Sequence, residues 1–250
     1  MKKFWRKLLL VALLAAATLS GCACGKKEDT VKVGYTIYQP MNYYDDAGNF
    51  VGFDTELAKA VFASLGKKVE FVEINWDTKL VSLRAKEIDC IWNGMTITDE
   101  LQSAILIGNP YLENRQVILC QKAVAANYKT KESLASASEV LAEAGSAGES
   151  VAKAVAGANV LTVAAQRDTL LEVKTSANKV AVVDLNLARV LTGEGTDFSD
   201  LTYVDVGFPE EEFGIGFRTE DASLCAAVNA EIDKMKADGR YDALLAKYFG

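Results

Sequence analysis

Residues Ile88–Leu101 read IDCIWNGMTITDEL, and they carry the strongest structural signal in the chain. The apolar residues at the start predict a short strand, and the small and polar residues Asn93 to Thr96 predict a turn where that strand ends. A helix is predicted to begin at Thr98, because Asp99 and Glu100 then lie in its first turn, where carboxylates suit the positive helix end. Hydroxyls and backbone N–H groups would thus lie at the carboxyl edge of a sheet, where open α/β sheets bind small molecules.

Strand and helix patterns alternate on both sides of this stretch. Before it, strands are predicted at Val31–Tyr35 and Val69–Ile74, separated by a helix that has Asp54 as its N-cap and Gly66 as its stop. Asp77 is predicted to cap a further helix. The later strands are predicted at Val117–Gln121, Val140–Ala144, Val160–Val163, Val180–Val183, Leu201–Val206 and Phe213–Phe217, and two amphipathic helices end the chain. This alternation predicts an α/β fold rich in parallel strands.

Two of the three prolines, Pro110 and Pro209, flank the middle block of the chain. The segments near Glu113–Gln116 and Asp205–Glu212 are the candidate crossovers between two lobes. The predicted lobe 1 comprises residues 31–115 and 210–250, and the predicted lobe 2 comprises residues 116–209. Two linkers that run side by side predict a hinge.

The N-terminus has the pattern of an export signal. A basic segment, MKKFWRK, precedes the apolar run LLLVALLAAATL, so residues 1–21 are predicted to be a signal peptide. Leu19-Ser20-Gly21-Cys22 resembles the bacterial lipobox, in which the cysteine is lipidated and becomes the mature N-terminus. Residues 22–30 would then be a lipid-anchored tether on the extracytoplasmic face of the cell membrane. An ordinary cleaved signal with a chance cysteine is the alternative.

Charge and composition exclude several classes of function. Removal of residues 1–21 takes the formal charge from −7 to −11, and a net acidic chain without basic runs argues against a nucleic-acid partner. The chain has no histidine, which excludes Ser-His and Cys-His catalysis and histidine-containing metal sites. No metal or other cofactor is expected. Cys90, Cys120 and Cys225 lie in apolar patterns typical of buried free thiols, although a Cys90–Cys120 bridge stays open.

Six motifs in order resemble the polar amino-acid substrate-binding proteins of ABC importers. They read VGYTIYQPMNYYDDAGNFVGFDTELAKAV, NWDTKLVSLRAKEIDCIWNGMTITDE, GNPYLENRQVIL, AEAGSAGESVA, VAVVD, and EEFGIGFR with KADGRYDALLAKYFG. The resemblance spans essentially the whole mature chain. It implies two α/β lobes of the periplasmic-binding-protein type, joined by a two-strand hinge, with the ligand in the cleft between them. It also implies a monomer that serves a permease and an ATPase, which are separate chains.

The resemblance also implies which residues hold the ligand. In the family an aromatic residue at the position of Tyr38 covers the ligand side chain. At the strand end a backbone carbonyl takes the α-ammonium and a hydroxyl takes the carboxylate, and Asp184 matches a carboxylate that binds the ammonium. The implied ligand-binding set is Tyr38, Trp76, Asn93, Gly94, Thr96, Ser146, Ala147, Gly148 and Asp184.

Purely structural roles stay open for these residues. Tyr38 would pack on its own lobe, and Trp76 would belong to the core. Ser146 and Glu149 have the spacing of a capping box, which needs no ligand to explain it. Asp184 would cap the helix that begins after it.

Leu101 departs from the family pattern. Many relatives have an arginine there, which grips the ligand carboxylate with a bidentate fork. Three explanations stay open. Another cation such as Arg115 replaces it, Thr96 and the helix end at Ser146 suffice, or the ligand lacks an α-carboxylate. Arg115 on its own is more typical of a solvated charge beside the hinge.

The expected function is delivery of a polar amino acid or a related amine to an ABC importer, without catalysis. Two alternatives use the same scaffold. One is an enzyme like the cyclohexadienyl dehydratases, for which Asp184 would be the acid. The other is a ligand-sensing module that acts through a separate receptor.

Overall fold

The computed structural model describes residues 29–155 and 159–250. The predicted signal peptide, the lipidation site Cys22 and residues 23–28 of the tether lie outside the described residues. Within the described ranges, no helix is both long enough and apolar enough to cross a membrane.

Strands and helices alternate through the described residues. The strands are β1 (Thr30–Tyr35), β2 (Tyr43–Tyr44), β3 (Phe50–Val51), β4 (Lys68–Glu73), β5 (Cys90–Thr96), β6 (Leu106–Ile107), β7 (Leu112–Gln121), β8 (Glu139–Glu143), β9 (Val160–Val163), β10 (Lys179–Asp184), β11 (Leu201–Val204) and β12 (Glu210–Phe217). The α-helices are α1 (Phe53–Ser64), α2 (Lys79–Arg84), α3 (Asp99–Ala104), α4 (Ala147–Ala154), α5 (Gln166–Thr175), α6 (Leu185–Leu191), α7 (Ala222–Ala237) and α8 (Arg240–Phe249).

Parallel strands form the centre of each lobe. In the first lobe β1 pairs in parallel with β4 and β5. In the second lobe β8 pairs in parallel with β9 and β10. The carboxyl ends of these strands are where an α/β sheet presents its binding residues.

Two neighbouring antiparallel strands connect the lobes. Strand β7 pairs with β12 through Leu112–Arg115 and then with β10 through residues 116–119. Strand β12 continues from that pairing into the first lobe, where it lies beside β5. The exact boundaries, after residues 115 and 209, stay a prediction.

The core consists of the apolar side chains of the strands and of the helices that cover them. Every residue of β5 from Cys90 to Met95 is buried, as expected for a strand covered on both faces. Leu57 and Val61, which belong to the predicted helical stripe, are fully buried in α1. Gly66 has a φ of +69° just after this helix, as predicted for its stop.

The cysteines within the described ranges settle one open alternative. Cys90, Cys120 and Cys225 are buried and free. The buried-thiol interpretation is therefore confirmed, and the Cys90–Cys120 bridge is wrong. Burial raises the pKa of Cys120 to about 11, so this thiol stays protonated and unreactive at neutral pH.

Three local predictions are wrong. Asn93 to Thr96 do not form a turn after the strand but belong to β5. Asp54 does not cap α1, because the helix begins at Phe53 with Gly52 as its N-cap, and Asp54 is a buried residue of the first turn. Asn75, rather than Asp77, caps the 3₁₀ turn that precedes α2, since its side chain accepts the N–H of Asp77.

Candidate functional site

One cavity contains all nine predicted ligand-binding residues. It has about 300 Å³ of space not filled by protein atoms. The first lobe contributes Tyr38, Trp76, Asn93, Gly94 and Thr96, and the second contributes Ser146, Ala147, Gly148 and Asp184. Two further residues of the second lobe, Glu143 and Gln166, complete the wall. The residues therefore come together as a cleft site requires, with walls from both lobes.

A bulge in β5 shapes the first-lobe wall. Pairing with β12 shifts register between Gly214 and Gly216, and Gly94 has a φ of +56°. A Cβ on Gly94 would lie 2.6 Å from Cε1 of Tyr38, so glycine is needed for both its backbone and its closeness to this ring. The Asn93 amide bonds Thr36 and Asn42, which leaves only its backbone for a ligand.

Asp54 fixes this bulge from below. Its Oδ2 accepts the backbone N–H of Gly94 at 2.7 Å and the hydroxyl of Tyr111 at 2.9 Å. The side chain is fully buried, and burial raises its pKa to about 7. Asp54 therefore positions a wall of the site without reaching the cavity.

Asp184 is the most extensively hydrogen-bonded carboxylate of the cavity. It ends β10 and occupies the N-cap position of α6, as the capping interpretation expects, but its side chain makes no capping bond. Its Oδ1 accepts N–H groups from the amides of Asn114 and Gln116, the latter at 2.8 Å, and its Oδ2 accepts from Gln166. Burial raises the pKa of Asp184, and these amide donors oppose the rise. No cation pairs with it among the described residues.

Glu143 is a site residue that the sequence interpretation missed. It ends β8, is only 4% exposed, and lines the cavity. Its Oε1 has no hydrogen-bond partner among the described residues. Burial raises its pKa to about 8, with a further contribution from Asp184 and an opposing one from Lys79. An acid at the end of the apolar run VLAE was the available signal.

The N-terminus of α4 forms the second-lobe wall. Ser146 Oγ accepts the N–H of Glu149 at 3.1 Å, and Glu149 Oε2 accepts the N–H of Gly145 at 2.7 Å. The capping role of Ser146 is thus present, together with its place in the cavity. Gly148 lies against the sheet, since a Cβ there would be 2.7 Å from the carbonyl oxygen of Val182.

The remaining first-lobe residues differ in what they offer a ligand. Trp76 is 6% exposed and combines core packing with a place in the wall. Tyr38 is also buried, and its hydroxyl has no hydrogen-bond partner among the described residues. Thr96 Oγ1 donates to Glu211 Oε2 at 3.2 Å. Its hydroxyl is therefore already engaged by a carboxylate.

The position of the missing arginine is apolar. Leu101 packs against the apolar cluster that includes Trp76 and Met95. It does not line the cavity itself, but it lines an adjoining pocket that shares Trp76, Thr96, Ser146 and Ala147 with the cavity. Arg115 is no replacement, because it pairs with Asp205 at 3.1 Å and Glu210 at 2.8 Å and lies outside the cavity. Lys79 is the buried cation nearby, and its Nζ donates to the carbonyl oxygens of Trp76 and Gly145.

Within residues 29–155 and 159–250, no group of three or more His, Cys, Asp or Glu side chains has the arrangement of a metal site. The cavity's polar groups are carboxylates, amides and hydroxyls, which suit recognition of an organic ligand by hydrogen bonds and charge.

Residues 31–250 match bacterial extracellular solute-binding proteins, family 3. The chain belongs to this family. The family resemblance and the two-lobed α/β fold predicted from the sequence are thereby confirmed.

Similar proteins of known name or structure support the same assignment. The chain is similar to the ABC transporter glutamine-binding protein GlnH of Bacillus subtilis, with 26% identity over 272 residues, covering 99% of this chain and 97% of that protein. It is also similar to holo ArgBP from T. maritima, with 31% identity, a TM-score of 0.78, and coverage of 88% and 96%. The ancestral amino acid-binding protein AncCDT-1, a precursor of cyclohexadienyl dehydratase, has 32% identity, a TM-score of 0.82, and coverage of 88% and 96%.

Proposed function

We propose that this protein binds an amino acid or a related amine outside the cytoplasm and delivers it to an ABC importer. The observation that carries the proposal is the cavity between the lobes, with Asp184 held by amide donors and accompanied by no cationic side chain on the wall. A ligand ammonium is the natural partner for such a carboxylate. The names of the relatives, which include glutamine-binding and arginine-binding proteins, support the same class of ligand.

The proposal includes how the protein is held and organised. Cys22 carries a lipid that anchors a monomer to the extracytoplasmic face of the membrane, and the export pattern of residues 1–21 supports this. Residues 31–115 and 210–250 form lobe 1, and residues 116–209 form lobe 2. The permease and the ATPase are separate chains. Metabolic labelling with palmitate, with Cys22→Ala as the unlabelled comparison, tests the anchor.

A thermal-shift panel of amino acids, amines and small peptides tests the binding function. The expected result is a rise in melting temperature for at least one compound, because a ligand that binds only the folded state stabilises it by mass action. Absence of any shift across the panel would contradict the proposal.

Asp184→Asn tests the site itself. Removing one partner of a buried charge pair costs roughly 2–5 kcal/mol, so the variant should lose the shift at ligand concentrations that saturate the wild type. Asp233→Asn is the matched control, because Asp233 is an exposed residue of α7, away from the cavity. Retention of a normal shift by Asp184→Asn would remove this residue from the site.

We further propose that the protein is not an enzyme. The relatives reported above carry the names of binding proteins, although one is the precursor of a dehydratase. Incubation of the wild type with prephenate-like cyclohexadienyl acids, followed by chromatography, should return the substrate unchanged. Turnover would establish the dehydratase alternative.

A further inference from the structure

The cavity wall has carboxyl groups but no cationic side chain. Two of its eleven lining residues, Glu143 and Asp184, are acidic, and none is lysine or arginine. Glu211 adds a third carboxylate close behind the wall, where Gln116 Nε2 donates to both Glu211 and Asp184. A ligand with net positive charge is the electrostatic complement of this wall.

Glu143 and Asp184 end neighbouring strands of the second lobe. Strands β8 and β10 are parallel neighbours, with Leu141 opposite Ala181. Extending this register places Glu143 opposite Val183, one residue before Asp184. The two acids therefore come at the same carboxyl end of the sheet, where both line the cavity.

The two carboxyl groups differ in what already satisfies them. Asp184 accepts three side-chain amides. Glu143 Oε1, by contrast, is buried without a hydrogen-bond partner among the described residues. An unsatisfied buried carboxyl oxygen costs stability, and a donor on a ligand would remove that cost.

Lys79 does not fill this role. It is buried, but its Nζ donates to the carbonyl oxygens of Trp76 at 3.2 Å and Gly145 at 2.8 Å. Among the described residues, Lys79 and Glu143 form no ion pair with each other. Glu143 therefore keeps an acceptor available to the cavity.

We propose that the ligand carries two cationic groups, one bound by Asp184 and the other by Glu143. This inference rests on the proposed binding function and specifies its substrate class. Two kinds of molecule share the chemistry: a basic amino acid, and a diamine or guanidinium amine of similar length. Only the basic amino acid has an α-carboxylate. The wall offers this group the N-terminus of α4 at Ser146. At Thr96 it offers only a hydroxyl that already donates to Glu211.

The experiment uses the mature full chain and measures dissociation constants by calorimetry at neutral pH. Lysine and norleucine form the decisive pair, since they differ in the terminal ammonium. Cadaverine and agmatine lack the α-carboxylate that lysine and arginine carry. Comparing the two pairs therefore shows whether the ligand is a basic amino acid or an amine without a carboxylate. The expected result is that the tightest dication binds at least tenfold more tightly than norleucine and glutamine.

Glu143→Gln identifies the residue responsible. It should weaken the tightest dication by about ten- to a hundredfold, the range expected for loss of a charged hydrogen bond, and leave norleucine unchanged. Glu139→Gln removes the same charge from the same strand at a partly exposed position paired with Lys179, and it should change neither. The melting temperature of ligand-free Glu143→Gln should be equal to or above that of the wild type. If Glu143 had a purely structural role, the substitution would instead lower the melting temperature and weaken the binding of all ligands alike.

The outcomes separate this inference from the proposed function. Tighter binding of neutral amino acids, or a Glu143→Gln variant with unchanged dication affinity, overturns the dication inference and leaves the binding function standing. Failure of every compound to bind overturns both.

Discussion

Three buried acids set the electrostatics of the cleft: Asp54, Glu143 and Asp184. Burial raises the pKa of each, to about 7 for Asp54 and about 8 for Glu143. Such groups cost stability once they ionise, unless a donor compensates them. Asp54 and Glu143 each have one carboxyl oxygen without a hydrogen-bond partner among the described residues. They differ in place, because Asp54 lies outside the cavity and accepts from Gly94 and Tyr111 through its other oxygen, whereas Glu143 lines the cavity. The first is therefore a structural acid and the second a candidate for the ligand.

Asp54→Asn should change the pH dependence of stability in a defined direction. The folded-state pKa of about 7 lies above the ordinary value of 3.8, so the folded state holds the proton over this interval while the unfolded state has lost it. Stability from this group is complete below pH 3.8 and falls as pH rises towards 7, by an amount on the order of 4 kcal/mol. The asparagine variant lacks this decline.

Urea denaturation of both proteins at several pH values between 4 and 7 checks this prediction. The free energy of unfolding of the wild type minus that of Asp54→Asn should decrease steadily with pH, because the other acids contribute equally to both. Asp46→Asn, at an exposed loop position, should run parallel to the wild type. Parallel curves for Asp54→Asn itself would show that Asp54 does not titrate in this interval.

At the scale of elements, the bulge in β5 couples the sheet to the ligand wall. Gly94 and Gly48 both have a positive φ, +56° and +80°. They differ in their surroundings, because a Cβ on Gly48 would have no atom within 4 Å, whereas one on Gly94 would lie 2.6 Å from Tyr38. The two glycines therefore separate backbone strain from crowding.

Gly94→Ala should destabilise the protein more than Gly48→Ala. Both variants carry the cost of a left-handed conformation, roughly 1–2 kcal/mol, and Gly94→Ala adds about 1–3 kcal/mol for overpacking against Tyr38. Ligand affinity should fall at least tenfold in Gly94→Ala alone, since Tyr38 must move. Chemical denaturation and calorimetry on the two variants measure these effects, and equal behaviour would show that the contact with Tyr38 is unimportant.

The same strand shows why sequence patterns predicted some elements better than others. The sequence predicts Val160–Val163 with the bounds that β9 has, because three of its four residues are β-branched and favour a strand. Asn93 to Thr96 looked like a turn because its residues are small and polar. The partners that keep Asn93 in a strand, Thr36 and Asn42, lie 57 and 51 residues away. No local pattern contains such partners.

The residues of the candidate site were also only partly predictable from the sequence. The nine residues that share the cavity were predicted from the resemblance of ordered motifs to a family. Glu143 and Gln166 were missed, because their importance comes from the adjacency of β8 and β10 and from the bond between Gln166 and Asp184. An acid that ends an apolar strand has no distinctive sequence signature until the order of strands is known.

At the scale of the whole molecule, the two lobes touch across the mouth of the cleft. Lys79 of the first lobe donates to the carbonyl oxygen of Gly145 in the second, at 2.8 Å. A Cβ on Gly145 would lie 2.8 Å from Cα of Asp77 and 3.0 Å from its Oδ1. This close approach exists only while the lobes are together, so it offers a way to disfavour the closed arrangement without changing a cavity residue.

Gly145→Ala should therefore disfavour the closed arrangement of the lobes. The closed arrangement would bear an overpacking cost of about 1–3 kcal/mol that an open one avoids, and apparent affinity falls with the fraction of competent molecules. We expect the variant to bind ligand at least tenfold more weakly. Small-angle X-ray scattering, at a ligand concentration too low to saturate the variant, should also give it a larger radius of gyration than the wild type has. Gly195→Ala is the matched control, because Gly195 also has a positive φ, +82°, lies outside the crossover segments, and no atom would lie within 4 Å of its Cβ. If the two variants bind equally well, backbone strain accounts for everything and the contact between Gly145 and Asp77 does not govern closure.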